Sequence, residues 1–242
     1  MLDAVVSSNV LKTAAKGLVA ITNEARVFVD DKGLHSRAVD PANVAMVIVD
    51  IPREAFDVYK AEEDVLGVDI LRLHDFSKSL KNVEPVNVRS VDGRLVLSTG
   101  RMRYSFALID PSAIRKEPKL PNLDLPAKIV LDAGEFKRAI SEADRLDDEA
   151  ILATDGEHFR VCASDGVVDF VFELSKDELV EFNGAEAFSK FSTEYLREFV
   201  KIASKGDKLT IRLGSDLPAR FVFETESGVT VEYVLAPRLE VQ

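Results

Sequence analysis

Three histidines, one cysteine and two acidic clusters are the residues of this chain that could do acid–base, nucleophilic or metal chemistry. His35, His74 and His158 stand far apart, with no H-E-x-x-H pair and no Cys/His cluster, so their spacing offers no metal site. Cys162 lies in a strand-like run, where a free thiol packs as a small apolar residue. No G-x-S-x-G places a nucleophilic serine. The 12 glycines come no closer than seven positions to one another. That spacing removes G-x-G-x-x-G and G-x-x-x-x-G-K-[ST], and with them any phosphate-cradling loop. Glu62-Glu63-Asp64 and Asp147-Asp148-Glu149 fall between expected elements, where carboxylates are ordinarily solvated. The sequence predicts no catalytic residue, no metal and no cofactor.

What remains is electrostatic, and it depends on the elements that carry the charges. Leu11, Ala14, Ala15 and Leu18 recur at the spacing of a one-sided helix over residues 8–20. Ile70, Leu73, Phe76, Ser77 and Leu80 do the same over 69–81, Phe136, Ala139, Ile140 and Ala143 over 134–146, and Leu196, Phe199, Val200 and Ala203 over 193–205. The first helix carries Lys12 and Lys16. The second carries Arg72, Lys78 and Lys81 against Asp69 and Asp75. The third balances Lys137, Arg138 and Arg145 against Glu135, Glu142 and Asp144, and the fourth sets Arg197, Lys201 and Lys205 against Glu194 and Glu198. The helices thus total +4 and the remainder −15, within a chain of 242 residues and net charge −11. Lys12 and Lys16 sit one turn apart, away from Leu11 and Leu18, and Arg197, Lys201 and Lys205 form a similar stripe. Such a protein repels polyanions with its bulk and attracts them at one surface.

The average charge excludes a uniformly basic DNA-binding domain. One Cys excludes a disulfide scaffold, and 46% apolar residues suffice for a core. The longest apolar run, Val44–Val49, is far short of the ~20 residues that span a bilayer. MLDAVVSSNVLK has neither the basic start nor the apolar stretch of a signal peptide, which leads us to expect a soluble intracellular protein.

The chain also repeats itself. At a shift of about 125 residues, Val10-Leu11-Lys12 faces Glu135-Phe136-Lys137, residues 33–40 face 158–165, and Asp69-Ile70-Leu71-Arg72 faces Glu194-Tyr195-Leu196-Arg197. Tyr104–Leu108 faces Val231–Leu235 at a nearly equal shift. Each half is expected to open with a helix, followed by strands, a second helix and further strands. Strands are predicted over 25–30, 34–39, 44–51, 86–90, 94–98 and 103–109, and over 150–154, 159–163, 167–174, 208–213, 219–224 and 230–235. Many alternate apolar and polar residues, as half-buried antiparallel strands do. Asp110–Pro126 holds four of the nine prolines and reads as an extended connector, long for an idle link.

Several segments resemble one family: GLHSRAVDPANV (33–44), LIDPSAIRKEP (108–118), DAGEF (132–136), IRLGSDLP (211–218) and YVLAPRL (233–239). They are similar to the archaeal form of the DNA polymerase sliding clamp, the proliferating cell nuclear antigen family, and the similarity runs the whole length of the chain. The resemblance implies an α+β fold with two copies of a clamp domain, 1–109 and 127–242, joined by a connector, 110–126. It implies a trimeric ring with antiparallel sheets outside and basic helices lining the pore. It further implies a non-enzymatic processivity factor, placed on double-stranded DNA by a clamp loader without regard to sequence. Such a factor tethers DNA polymerase, flap endonuclease, DNA ligase and other replication and repair enzymes through short client peptides. The corresponding location is cytoplasmic and nucleoid-associated, or nuclear in a eukaryote. An alternative is one subunit of a heterotrimeric clamp or client-binding scaffold that does not encircle DNA alone; an enzyme with an unrecognised site is the third.

By match to the family's pore positions, Lys12, Lys78, Arg138 and Lys201 would face DNA, with Lys16, Lys81, Lys137, Arg145, Arg197 and Lys205 supporting them by helix position. Thr13, Val19, Asp75 and Ser141 stand where other clamps carry basic residues. The client-peptide pocket maps to Val39, Val44, Met46, Leu120, Pro121, Pro218, Val234, Ala236 and Pro237. The subunit interface maps to edge strands bearing Arg103, Tyr104, Phe106 and Ile109 on one side, and Val168, Phe170 and Phe172 on the other.

Overall fold

The computed structural model describes residues 1–117, 119–120 and 122–239. The chain divides into two compact units: Met1–Lys119 with Glu226–Val231, and Leu120–Thr225 with the segment from Glu232. No helix among the described residues is long and apolar enough to cross a membrane.

The first unit runs β1 (Leu2–Ser7), α1 (Ser8–Val19), β2 (Glu24–Asp30), β3 (Gly33–Val39), β4 (Ala45–Pro52), β5 (Phe56–Ala61), β6 (Asp64–Asp69), α2 (Ile70–Ser79), β7 (Pro85–Val91), β8 (Arg94–Thr99) and β9 (Met102–Ala107). Its strands pair antiparallel in the orders β5-β1-β7-β8-β9 and β4-β3-β2-β6. The second unit runs β10 (Ala127–Asp132), α3 (Ala133–Ala143), β11 (Glu149–Thr154), β12 (His158–Ser164), β13 (Asp169–Ser175), β14 (Glu181–Asn183), β15 (Ala187–Ser192), α4 (Thr193–Phe199), β16 (Lys208–Leu213), β17 (Ala219–Glu224) and β18 (Thr230–Leu235). Here the orders are β13-β12-β11-β15 and β14-β10-β16-β17, with β18 beyond β17. Nine strands and two helices therefore occur twice in the same order.

Each half opens with a strand rather than the expected helix. β1 alternates buried and half-buried residues directly before α1, in a stretch to which the sequence reading assigns no element. Strands β5, β6, β10, β14 and β15 were likewise not foreseen. The helices lie where their apolar period places them. Val10, Leu11, Ala14, Ala15 and Leu18 are buried on α1, Ile70, Leu73 and Phe76 on α2, and Phe136, Ala139, Ile140 and Ala143 on α3. Asp69 starts α2 by accepting the Arg72 N–H at 2.9 Å, and Asp132 starts α3 by accepting those of Gly134 and Glu135. Three helices end earlier than the period suggests. Leu80 turns extended after α2, Asp144 caps α3, and Ala203 turns extended after the 3-10 turn Val200–Ile202 that prolongs α4.

The second core is aromatic. Phe199 stacks on the fully buried Tyr233 with ring centroids 4.0 Å apart, and Phe136 and Phe191 pack on Phe221. Burial drives the Tyr233 hydroxyl pKa far above its ordinary value. In the first unit the backbone itself makes a close contact. A Cβ on Gly67 would lie 2.2 Å from the carbonyl oxygen of Ile109, whose N–H donates to the Gly67 carbonyl at 2.9 Å. Gly67→Ala is expected to force these strands apart and lower stability by about 1–3 kcal/mol. Urea denaturation measures it, and an unchanged midpoint would show that the Ile109 segment yields freely.

Candidate nucleic-acid interface and partner surfaces

The helix ends set which cations belong to the helices. Lys12 and Lys16 lie on α1, Arg72 and Lys78 on α2, Lys137 and Arg138 on α3, and Arg197 on α4 with Lys201 in its 3-10 extension. Lys81 and Lys205, expected by helix position, fall beyond the helices because the backbone has already turned extended at Leu80 and Ala203, and Arg145 lies in the turn that follows the Asp144 cap of α3.

At least five of these eleven cations already hold a carboxylate. Arg72 meets Asp69 at 3.1 Å, Lys78 meets Asp75 at 2.9 Å, Arg145 meets Glu142 at 2.8 Å and Lys201 meets Glu198 at 2.6 Å. Arg197 reaches from α4 to Asp144 at the end of α3, at 3.1 Å. The hydrogen bond from Lys78 holds the Asp75 carboxyl below its ordinary pKa. Arg138, Lys81 and Lys205 are exposed and have no carboxylate within ion-pair distance among the described residues. Where a cation is paired and exposed in this way it projects only a weak field, since the neighbouring carboxylate cancels much of its charge.

Lys12 and Lys137, 125 positions apart, do one job in their separate units. Lys12 Nζ donates to the Lys81 carbonyl at 3.3 Å and to Asn82 Oδ1 at 3.1 Å, just past α2. Lys137 Nζ donates to the Ala203 carbonyl at 3.0 Å, just past the turn that prolongs α4. Each lysine ties the first helix of its unit to the carbonyl end of the second, where positive charge is favoured. The repeat is therefore preserved at a specific side-chain bond as well as in the strand order.

The sheet ends differ in how they are finished. On β15, the N–H groups of Asp216 and Arg238 cover the carbonyls of Phe188 and Lys190. On β6, Ile109 bridges to Gly67. β14 has only three residues, and β5 carries a bulge and the exposed charges Asp57 and Lys60. β9 and β13 end their sheets with six and seven residues. β9 exposes Arg103 and Tyr104, with Phe106 half-buried and Tyr104 packed on Phe76 at 4.7 Å. β13 holds Phe170 and Phe172 half-buried and Val171 exposed. Two expected interface residues lie outside these strands: Ile109 is half-buried at its bridge, and exposed Val168 precedes β13, its N–H donated to Asp165. Arg101 and Arg103 flank one edge, while Asp165, Asp169 and Glu173 flank the other. Glu173 itself accepts from Arg160, which also binds Asp155 at 2.7 Å.

The expected client-pocket residues fall in both units. In the first, Val39 pairs with Met46 at the base of the β3–β4 turn. Buried Asp40 shapes that turn by accepting the N–H groups of Ala42, Val44 and Ala45. Val39 and Val44 are half-buried and Met46 is buried. In the second unit Val234 is buried, Pro218, Ala236 and Pro237 are half-buried, and Leu120 is exposed. Pro121 lies outside the described residues.

Sequence reasoning missed the fastening of the connector. Arg26 on β2 meets Glu117 at 3.0 Å, and Arg115 donates to the Asp40 carbonyl and to Asn43 Oδ1. Partners separated by 72 to 91 positions leave no local signal. Half-buried Cys162 has its thiol pKa raised by burial, as befits an unreactive strand residue. His35 is engaged with Asp50, Nδ1 to Oδ1 at 2.8 Å.

Comparison with known proteins returns one family throughout. The model of the proliferating cell nuclear antigen N-terminal domain matches residues 1–100, and that of the C-terminal domain matches residues 119–238. The chain is 52% identical to the DNA polymerase sliding clamp of Archaeoglobus fulgidus and 36% identical to that of Methanothrix thermoacetophila, covering 99% of both chains in each pair. Its structure matches that of A. fulgidus PCNA, solved with the C-terminal region of FEN-1 bound, with TM-score 0.97 over 100% of both chains. The Thermococcus kodakaraensis PCNA shares the fold at TM-score 0.90 and 23% identity, over 98% of this chain and 100% of the other.

Lys12→Met and Lys137→Met are each expected to lower stability by about 0.5–1.5 kcal/mol. Denaturation of the two variants checks this, and no change in either would remove the helix-tying role of the lysines.

Proposed function

The chain belongs to the proliferating cell nuclear antigen family, and from that membership we propose that it is a DNA polymerase sliding clamp that encircles duplex DNA as a homotrimer. It is a processivity factor and carries out no catalysis of its own. The observation that carries the reading is the repeat. The same nine strands and two cation-bearing helices occur twice, and each unit leaves one long edge strand uncovered, β9 in the first and β13 in the second. A basic edge and an acidic edge on one chain suit head-to-tail pairing between copies, and a heterologous interface that closes makes a ring.

A clamp that slides must not read bases, because base contacts would pin it. Exposed cations, some matched by carboxylates and some not, supply a weak, sequence-independent attraction to phosphate, and topology supplies retention. The clients are DNA polymerase and flap endonuclease, the latter in line with FEN-1 on the A. fulgidus clamp. DNA ligase and an ATP-driven clamp loader complete the set. They dock by short peptides whose aromatic anchors enter a pocket drawn from Val39, Val44, Met46, Leu120, Pro121, Pro218, Val234, Ala236 and Pro237. The setting is the cytoplasm, at the nucleoid.

The purified chain is expected to have a native mass three times 26.7 kDa by light scattering. Val171→Glu, which places a charge on β13, is expected to return it to one chain. A monomeric parent protein would favour the heterotrimeric alternative. Loaded onto primed circular DNA, the clamp is expected to remain until the circle is linearised; rapid loss from closed circles in moderate salt overturns the reading. Reversal of charge at Arg138 is expected to reduce loading or stimulated synthesis more than reversal at Lys78, whose charge Asp75 already offsets. Equal losses would mean that the ion pairs break on DNA.

A further inference from the structure

One cleft of the first unit is left over by this account. It has a volume of about 630 Å³, within the range of roughly 300–1,000 Å³ common for ligand clefts, and it lies between the end of α1, strands β2 and β3, and the start of the connector. Arg26, Arg37, Arg115 and Lys116 line it against two carboxylates, Glu24 and Glu117. In a chain of net charge −11 this is a local reversal of sign.

The four cations are not equivalent. Arg26 is 17% exposed, lies over the Phe28 ring with 5.2 Å to the centroid, and spends one nitrogen on Glu117. Its Nε is buried and donates to nothing among the described residues, an unmet donor on a largely desolvated guanidinium. Arg115 donates only to neutral oxygens, the Asp40 carbonyl and Asn43 Oδ1. The nearby Asp40 carboxylate is meanwhile occupied by three backbone N–H groups. Lys116 is exposed and has no carboxylate within ion-pair distance among the described residues. Beneath them the floor is apolar, built on Ala25, Ala38 and Ile114, all buried.

We propose that this cleft is a second docking site, for an acidic peptide segment of alternating carboxylate and apolar side chains, and that Glu117 holds the place of the incoming carboxylate on Arg26. Charge complementarity selects the carboxylates, and the buried floor takes the apolar side chains between them. Binding exchanges one ion pair for another at Arg26, so the guanidinium is never left uncompensated and its unmet Nε gains an acceptor. Val39 lines both this cleft and the expected client pocket, so an acidic stretch beside a client's anchor motif is the natural occupant. The site lies within one unit and depends on neither the ring nor DNA, so its failure and the failure of the clamp reading are distinguishable.

The test is fluorescence anisotropy on the full-length chain, with a labelled peptide of alternating Glu and Leu and a Lys/Leu peptide as control. The Glu/Leu peptide is expected to bind, more weakly as salt rises, and the control is not. Arg26→Gln is expected to weaken binding about tenfold or more, as loss of a largely buried charge partner does. Glu117→Gln is expected to tighten it, because the internal competitor is gone. This opposite sign protects the test against a variant that merely unfolds. Absence of binding, equal binding of the control, or a Glu117→Gln variant that binds no better overturns the proposal. So does displacement of the peptide by a single-stranded oligonucleotide with the same dependence on Arg26, which would assign the cleft to nucleic acid.

Discussion

A strand at the end of a sheet leaves backbone donors and acceptors in need of partners, and a chain built mainly of strands must resolve every such end. Here most ends are finished internally by visibly different means. Backbone from Asp216 and Arg238 covers β15, the Gly67–Ile109 bridge covers β6, β14 is brief, and β5 is bulged and charged. Against that pattern the openness of β9 and β13 is informative. One is bordered by arginines and the other by carboxylates, so pairing two copies of the same edge would set like charges together, whereas pairing one with the other would not. The head-to-tail assembly proposed above uses the edges that the fold leaves unfinished.

Under the sliding-clamp reading proposed above, the helices answer a different requirement. A surface that holds a polyanion too firmly cannot move along it. Of the eight basic side chains on α1 to α4 and the turn that prolongs α4, at least six are engaged locally, with a carboxylate three positions away, with Asp144 in the case of Arg197, or with the carbonyl end of the neighbouring helix. Lys12 and Lys137 thereby serve the fold and the electrostatics together: the ammonium that ties two helices still contributes its charge to their surface. A net charge taken over whole helices describes this surface less well than the sorting of paired from unpaired cations.

Much of this was legible in the sequence because it is periodic. Leu11, Ala14, Ala15 and Leu18 can be buried together only by a helix, and the shift of 125 positions exposed the duplication before any strand order was known. What escaped was non-periodic or distant. Leu2–Ser7 runs without a break into α1, and no turn residue between them marks off a separate strand. The ends of α2 and of the turn after α4 depend on backbone angles at Leu80 and Ala203, residues that would sit comfortably in a helix. Arg26 and Glu117 are 91 positions apart, and neither belongs to a motif. Among the residues assigned by resemblance, Val39 and Met46 are neighbours for a reason the sequence states, the Asp40 turn, whereas Ile109 and Val168 stand beside their strands rather than in them.

The connector is the part of the chain that is not duplicated. The arginine that fastens its first half has as its counterpart, 125 positions on, the apolar Ile151, so the second unit cannot repeat that attachment. If three chains close into the ring proposed above, the ring carries six helix pairs but only three fastened connectors. Partners that use the connector would then be counted by chain, and contacts made by the repeated units by twice that number.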